Sequence, residues 1–229
     1  MKTLGLIGGM SWVSTIDYYR YINQFANERL GGLNYARILL YSLSFNEVKT
    51  LADASDWKTL GELFSSISQN LENAGAEAIV LCANTAHIVA ETVEKSIKIP
   101  LINITDSTAK EISKQNLKRV ALLGTRFTME NDFYKKTLLR YGIETMIPDD
   151  EQRNFIHNSI FDELGRDIIT VETKQKYLEI IEDLHKQGAE GVIFGCTEIP
   201  LLLKAEDCRL PSFDTTMIHA RYAVDFALS

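Results

Sequence analysis

The sequence predicts an α/β protein of two lobes related by a pseudo-twofold axis, each a mainly parallel sheet flanked by helices, with the active site in the cleft between them. Three observations predict it. Strand-like runs alternate with helical periodicity along the whole chain, the pattern of parallel sheets covered by helices on both faces. The chain repeats itself in order. Two of its apolar runs, Ala78-Ile79-Val80-Leu81-Cys82-Ala83-Asn84-Thr85 and Gly191-Val192-Ile193-Phe194-Gly195-Cys196-Thr197-Glu198, end on a cysteine with polar residues just after it. Such β-branched runs read as strands buried on both faces, and ligands of open α/β sheets bind at the strands' carboxyl ends.

Taken in order, Thr3–Gly8 reads as a strand and Ser14–Arg29 as a helix with Ile16, Tyr19 and Ile22 on one face. The aromatic cluster Tyr18-Tyr19-Arg20-Tyr21 is expected to pack in the core. Ala36–Ser42 is a strand, Trp57–Ala74 a helix stopped near Gly75, and Ala78–Cys82 the first cysteine strand. A helix from Thr85 to Glu94, a short strand Pro100–Ile104 and a helix near Ser107–Gln115 follow. The second half reads as a strand Arg119–Gly124, helices Thr128–Tyr141, Arg153–Leu164 and Thr173–Gln187, strands Gly191–Gly195 and Leu210–Phe213, and a closing helix Met217–Leu228.

The echoes fix the pairing of halves. Lys2-Thr3-Leu4-Gly5-Leu6-Ile7-Gly8-Gly9 returns as Lys118-Arg119-Val120-Ala121-Leu122-Leu123-Gly124-Thr125, and Tyr18-Tyr19-Arg20 as Phe133-Tyr134-Lys135. Gly75-Ala76-Glu77 returns as Gly188-Ala189-Glu190, and Ile99-Pro100 as Leu210-Pro211. The offset drifts only from 116 residues (Lys2 to Lys118) to 111 (Ile99 to Leu210). Two similar halves imply two lobes, whose symmetry would bring equivalent strand ends, and so Cys82 and Cys196, to one cleft.

Composition bounds the function. The chain has 229 residues, 45% hydrophobic, and a net charge of -7. That suffices for a packed core, and the dispersed acidic charge argues against a nucleic-acid surface. Met1-Lys2-Thr3 leads straight into a short apolar run, so no signal peptide is expected and no stretch is long enough for a membrane span; the expected location is cytoplasmic. Three cysteines argue against a disulfide framework, and the four scattered histidines offer no metal-site spacing.

Two thiols that bracket one carbon can remove a proton from one side and return one from the other, inverting a stereocentre. This needs a thiolate and a thiol together, so at least one pKa must come toward neutrality, with helix N-termini after each cysteine assisting. Near-attack contacts on both sides would set the sulfurs roughly 7 Å apart. Asn84-Thr85 and Thr197-Glu198 can supply carboxylate clamps or simply cap helices. Glu198, when ionised, would take an α-ammonium group or orient a neighbour. The loops Gly8-Gly9-Met10-Ser11 and Gly124-Thr125-Arg126-Phe127-Thr128 read as substrate-contacting, with Thr125 and Thr128 reaching a second carboxylate. Neither fits a dinucleotide fingerprint or a Walker loop. His87 is placed as a surface or capping residue, and Cys208 as structural or surface.

The motifs Gly8-Gly9-Met10-Ser11-Trp12, Leu81-Cys82-Ala83-Asn84-Thr85, Leu123-Gly124-Thr125-Arg126-Phe127-Thr128-Met129 and Gly195-Cys196-Thr197-Glu198-Ile199 together resemble the aspartate/glutamate racemase family, almost end to end. The Gly-Gly-Met opening and the Cys-Thr-Glu ending are similar to its aspartate or broad-specificity branch. The resemblance implies catalysis without a cofactor, a small amino-acid substrate, Cys82 and Cys196 as acid/base thiols, and a homodimer. It also implies a final helix packed on the first lobe, hence lobes of residues 1–104 with 212–229 and 105–211. Met10 belongs to the implied contact loop. Where relatives read the side-chain carboxylate or place a lysine, this sequence offers Lys49 and Arg166. Related activities of the same thiols are hydantoin racemisation and maleate isomerisation. A reading of another class is a dicarboxylate- or amino-acid-binding protein without turnover.

Overall fold

The structure, a computed structural model, describes residues 1–229. The chain divides into two compact units, Met1–Ile104 with Thr216–Ser229, and Thr105–Thr215. Unit one runs β1 (Thr3–Gly8), α1 (Trp12–Leu30), β2 (Arg37–Ser42), α2 (Phe45–Asp53), α3 (Trp57–Asn73), β3 (Ala78–Leu81), α4 (Ala90–Ser96) and β4 (Leu101–Ile102). From α5 (Ile104–Lys114) the chain enters unit two: β5 (Arg119–Leu123), α6 (Arg126–Glu130), α7 (Asp132–Arg140), β6 (Glu144–Met146), α8 (Asp150–Asp162), α9 (Val171–Lys186), β7 (Gly191–Phe194), α10 (Ile199–Leu202) and β8 (Ser212–Asp214). The closing helix α11 (Thr215–Leu228) returns to unit one.

Each unit holds a four-stranded parallel sheet, ordered β2-β1-β3-β4 in the first and β6-β5-β7-β8 in the second. The orders are the same once the repeat is allowed for. In both, the chain steps outward from its first strand and then returns to that strand's other side. The point of reversal lies between β1 and β3, and between β5 and β7, and such a switch point is where an open parallel sheet takes its ligand.

Layering follows from alternation. In unit one, Leu4, Leu6, Ala78 and Val80 pack with Tyr18, Ile22 and Ala26 of α1 and with Ala220, Ala223, Val224 and Ala227 of α11. Ile7, Ile79 and Leu81 face the other way, against Leu60, Phe64, Ile67 and Leu71 of α3 and Val93 of α4. The central strands are therefore apolar throughout, which is what made them readable. The last helix is tied to the first strand's start by the Lys2 N–H, which donates to the Ala227 carbonyl at 2.8 Å.

Several expectations are corrected. The boundary placed at 212 falls at 216, because Ser212–Asp214 pairs with Val192–Phe194 and stays with unit two. The helix read over 85–94 is a 3-10 turn, Thr85–Val89, followed by α4. The helix read over 128–141 breaks at Asn131 into α6 and α7. The α8 helix begins earlier than Arg153, because the Asp149 carboxylate accepts the Gln152 N–H at 2.8 Å and caps it. Neither α2 nor the three-residue β6 was anticipated. On α1 the buried stripe is Tyr18, Ile22 and Ala26 at steps of four, while Ile16 and Tyr19 are 54% and 56% exposed. Steps of three drift around a helix, so the face drawn through Ile16, Tyr19 and Ile22 is not one face.

Candidate active site

In unit one the switch point is made by the loop after β1 and the residues after β3. The Cys82 N–H donates to the Ile7 carbonyl at 2.9 Å, so the cysteine continues the ladder by one residue. Its side chain is fully buried among the residues shared by α1 and α11, and the thiol lies 3.7 Å from the Val80 carbonyl. Burial alone pushes the Cys82 thiol pKa well up. Asn84, buried, opens the 3-10 turn that Thr85 begins, and its carbonyl accepts the His87 N–H at 3.0 Å.

The β1 loop uses its glycine against its own chain. Gly9 has φ +84°, and a Cβ there would lie 2.2 Å from the Leu43 carbonyl oxygen. Thr15 Oγ1 accepts the Gly9 N–H at 2.8 Å and donates to the Ser11 carbonyl at 2.7 Å. Met10 is buried with Leu43 and Val48. The loop is thus held by packing from below. A need for glycine here comes from the close approach of β2's continuation at Leu43.

Unit two repeats the arrangement with more polar groups. Gly124 and Gly195 let β5 and β7 close at their carboxyl ends: a Cβ on Gly124 would be 2.7 Å from the Gly195 oxygen. Thr125 caps α6, its Oγ1 accepting the Thr128 N–H and lying 3.2 Å from Thr128 Oγ1. Beside this pair, the Cys196 thiol donates to Glu198 Oε2 at 2.9 Å, and Thr197 Oγ1 donates to the same oxygen at 2.9 Å. All three side chains are buried. Burial first, then the Glu198 carboxylate by charge and hydrogen bond, hold the Cys196 thiol well above its usual pKa. The backbone N–H groups of Thr197 and Glu198 pull the other way.

Both thiols are therefore protonated at neutral pH in the free protein. The expected assistance from helix N-termini is weak here: a 3-10 turn follows Cys82 and the four-residue α10 follows Cys196.

The two candidate side-chain carboxylate readers lie on other elements, α2 and the turn before α9. Lys49 lies on α2 with its ammonium 2.5 Å from Asp53, four residues on. Arg166 is exposed in the turn Leu164–Arg166, its N–H donating to the Glu163 carbonyl at 2.9 Å. Cys208 is half-buried against the cluster that contains Cys196, and its pKa is pushed up to about 11, mainly by burial.

Three groups escaped the sequence reading. Tyr177 of α9 is fully buried in the cluster that contains Cys196, with its hydroxyl 3.0 Å from Ser159 Oγ. No local spacing singled it out. His87 is not at the surface but 3% exposed; it caps the start of α5 and shares a polar seam with His219 and Tyr18. The His87 Nδ1 lies 2.9 Å from the Ala83 carbonyl, and its Nε2 is 3.2 Å from the Ile104 N–H. His219 Nε2 lies 2.6 Å from the Ile102 carbonyl, and its Nδ1 2.8 Å from the Tyr18 hydroxyl. Carbonyls only accept, so each ring carries its one proton toward a carbonyl and both rings are neutral.

That neutrality has a stability consequence. Burial depresses His87 from 6.5 to about 4 and, with the nearby His87 adding to it, His219 from 6.5 to about 3. A depressed folded-state pKa means that the unfolded chain binds the proton first. The contribution is present in full above the unfolded value of 6.5 and is lost as pH falls from there toward 4 and 3. Each ring should remove about 1.4 kcal/mol per pH unit across that window. Urea unfolding between about pH 7.5 and about pH 5 measures it; His219→Gln should flatten the slope, and an unchanged slope would contradict the assignment.

No helix is long and apolar enough to cross a membrane. Residues 7–223 match the sequence model of the Asp/Glu/hydantoin racemase family. A Yersinia pestis chain assigned as an Asp/Glu racemase is 48% identical over the whole of both chains, with a TM-score of 0.93. An aspartate racemase homologue from Pyrococcus horikoshii is 35% identical, again over the whole of both, with a TM-score of 0.87. The broad-specificity amino-acid racemase RacX of Bacillus subtilis is 24% identical over 99% of this chain and 98% of its own. With a buried thiol just past the carboxyl end of each of the equivalent strands β3 and β7, at two equivalent switch points, and a family match over nearly the whole length, the chain belongs to the Asp/Glu/hydantoin racemase family and is an isomerase of the racemase kind.

Proposed function

We propose that the protein racemises aspartate, with glutamate or a broader set of amino acids as further substrates, by two-base chemistry at Cys82 and Cys196 and without a cofactor. The observation that carries the reading is positional. Each unit places a buried cysteine just past the carboxyl end of its inner strand, beside the switch point: Cys82 directly after β3, and Cys196 after β7 with Gly195 between them, while the third cysteine, Cys208, follows neither strand.

In this proposal the thiols act on opposite faces of one Cα. The free protein keeps both protonated, so substrate must help to ionise one. An α-ammonium group received by Glu198 would do so, since a nearby positive charge favours thiolate and offsets the carboxylate that opposes it, the thiol's proton leaving to solvent as substrate binds. The thiolate takes the Cα proton and becomes a thiol. The electron pair moves into the α-carboxylate as enolate-like charge, held by Asn84 and Thr85 from one unit and Thr197 from the other. The opposite thiol gives its proton to the other face and is left as thiolate. Thr125 and Thr128 are assigned to the side-chain carboxylate, with Met10 shaping the pocket. Lys49 and Arg166 are the further candidates to read that carboxylate, and Lys49 would exchange its Asp53 partner to do so. The working form is proposed to be a cytoplasmic homodimer.

The test is chiral product analysis on a panel of single-enantiomer amino acids, a 5-substituted hydantoin and maleate, with chelator present and no pyridoxal phosphate added. Appearance of the opposite enantiomer of aspartate supports the reading. Turnover of the hydantoin or maleate alone would transfer the chemistry to that substrate class. Thermal stabilisation by aspartate with no product from any compound would mean a binding protein.

A further inference from the structure

We infer that the outer face of α1 and the free edge of β2 form the docking surface for a second copy of this chain. The inference names the surface of the proposed homodimer and does not depend on the chemistry at the thiols.

The β2 strand ends its sheet, pairing only with β1. Its sequence, Arg-Ile-Leu-Leu-Tyr-Ser, runs for six residues with Leu40 and Tyr41 exposed at 46% and 44%. An apolar edge of this length offers a row of unpaired N–H and C=O groups to any incoming strand, and monomeric proteins blunt such edges. The α1 helix lies along the same edge. Asn23 Oδ1 accepts the Ala36 N–H at 3.1 Å, and the Asn27 amide donates to the Gly32 and Asn34 carbonyls. The helix face carrying Asn23 and Asn27 continues toward the N-terminus through Tyr19, Ile16 and Trp12, all more than half exposed. Leu33 and Tyr35, 87% and 57% exposed, lie in the link between helix and strand. Leu40, beside Leu6, lies on the α1 side of the sheet and continues this apolar strip, whereas Tyr41, beside Ile7, lies on the α3 side, so the β2 edge is apolar on both faces.

The repeat supplies an internal control. The matching edge strand of unit two, β6, has three residues, and its Glu144 is ion-paired with Arg119 at 2.9 Å. Counted from its buried Tyr134, α7 carries Asp132 and Lys135 where α1, counted from its buried Tyr18, carries Ile16 and Tyr19; Lys136, ion-paired with Asp132 at 3.3 Å, falls where α1 has Arg20, ion-paired with Asp17. The same architectural position is thus short and charged in one unit, long and apolar in the other. Shared ancestry of the halves does not account for that difference; a covering partner does.

A second copy fits for two reasons. An edge strand pairs antiparallel with its own image across a twofold axis, which makes the contact self-complementary and closed. The strip's exposed side chains present roughly 900 Å², against the ~800 Å² per partner of a standard interface. Aromatic residues supply most of it, as in the buried centres of such interfaces.

Sedimentation velocity on the full chain at micromolar concentration tests the inference, with hydrogen exchange across residues 37–42. The expected result is a dimer whose β2 amides exchange slowly on both sides of the strand. Ile16→Glu with Tyr19→Glu should give a monomer with unchanged circular dichroism and fast exchange at the outward β2 amides. Val171→Glu, at an apolar residue 79% exposed on unit two, should leave the dimer intact. A wild-type monomer, a dimer that survives the α1 pair, or a dimer lost in Val171→Glu would each overturn it. If the α1 pair unfolds the chain, the exchange pattern of the wild type decides. Assembly and turnover are read separately, so an inactive dimer counts against the racemase proposal alone.

Discussion

Cys82→Ala and Cys196→Ala should each lower racemisation by at least about a thousandfold while leaving the protein folded. The two cysteines sit differently, which makes the pair informative. Cys82 is packed among apolar residues, so its replacement by alanine should cost about 1 kcal/mol of stability as well. Cys196 is hydrogen-bonded to Glu198, so Cys196→Ser keeps a hydroxyl donor in that place. An alcohol does not ionise at these pH values, and the serine variant should be as inactive as the alanine one. Melting curves beside chiral assays separate the outcomes. A purely structural cysteine would lose stability and keep turnover, and full activity in either variant would refute the two-base scheme.

Glu198→Gln should lower kcat by about a hundredfold and move the alkylation profile of Cys196 to lower pH. The sign of the second effect follows from the site. The carboxylate raises the Cys196 pKa both by its charge and by accepting the thiol's hydrogen bond, so an uncharged isostere leaves a more easily ionised thiol. A more reactive thiol together with a slower enzyme is an unusual combination. It arises if Glu198 receives the substrate's ammonium group, since the glutamine variant gains a thiolate but loses the group that binds substrate in register. Alkylation measured in a Cys82→Ala, Cys208→Ala background reports Cys196 alone. If neither the profile nor kcat moves, Glu198 is only a buried structural acid.

Much of this was legible in the chain. The strands β1, β3, β5 and β7 are apolar on both faces, so each stands out as a run without needing a partner to explain it. The two cysteines lie just past the ends of repeat-equivalent strands, and that placement marks them out, although the ladders register Cys82 with Gly195 and set Cys196 one residue further on. What escaped notice depends on contacts between distant segments. The three-residue β6 carries no periodicity. The break between α6 and α7 comes from Asn131 adopting an extended backbone, φ −76° and ψ 152°, within a stretch that reads as one helix. His87 and His219 are 132 positions apart in sequence (219 − 87), yet their rings are 5.5 Å apart, and no local pattern announces such a pair. Tyr19 and Ile16 look like core residues by type and are exposed because α1 buries a different stripe. Gly9 was read as making room for a ligand, whereas the Leu43 backbone occupies that room.

The most direct measurement is isotope content at Cα during early turnover in heavy water, starting from one enantiomer of aspartate and then from the other. A proton leaving to one sulfur and a deuteron arriving from a second, solvent-equilibrated sulfur predict a product fully deuterated at Cα beside remaining substrate that keeps its hydrogen, in both directions. Deuterium entering the unreacted enantiomer as fast as the product would point to a single base working both faces. Inversion that carries the original hydrogen across would contradict the two-sulfur account outright.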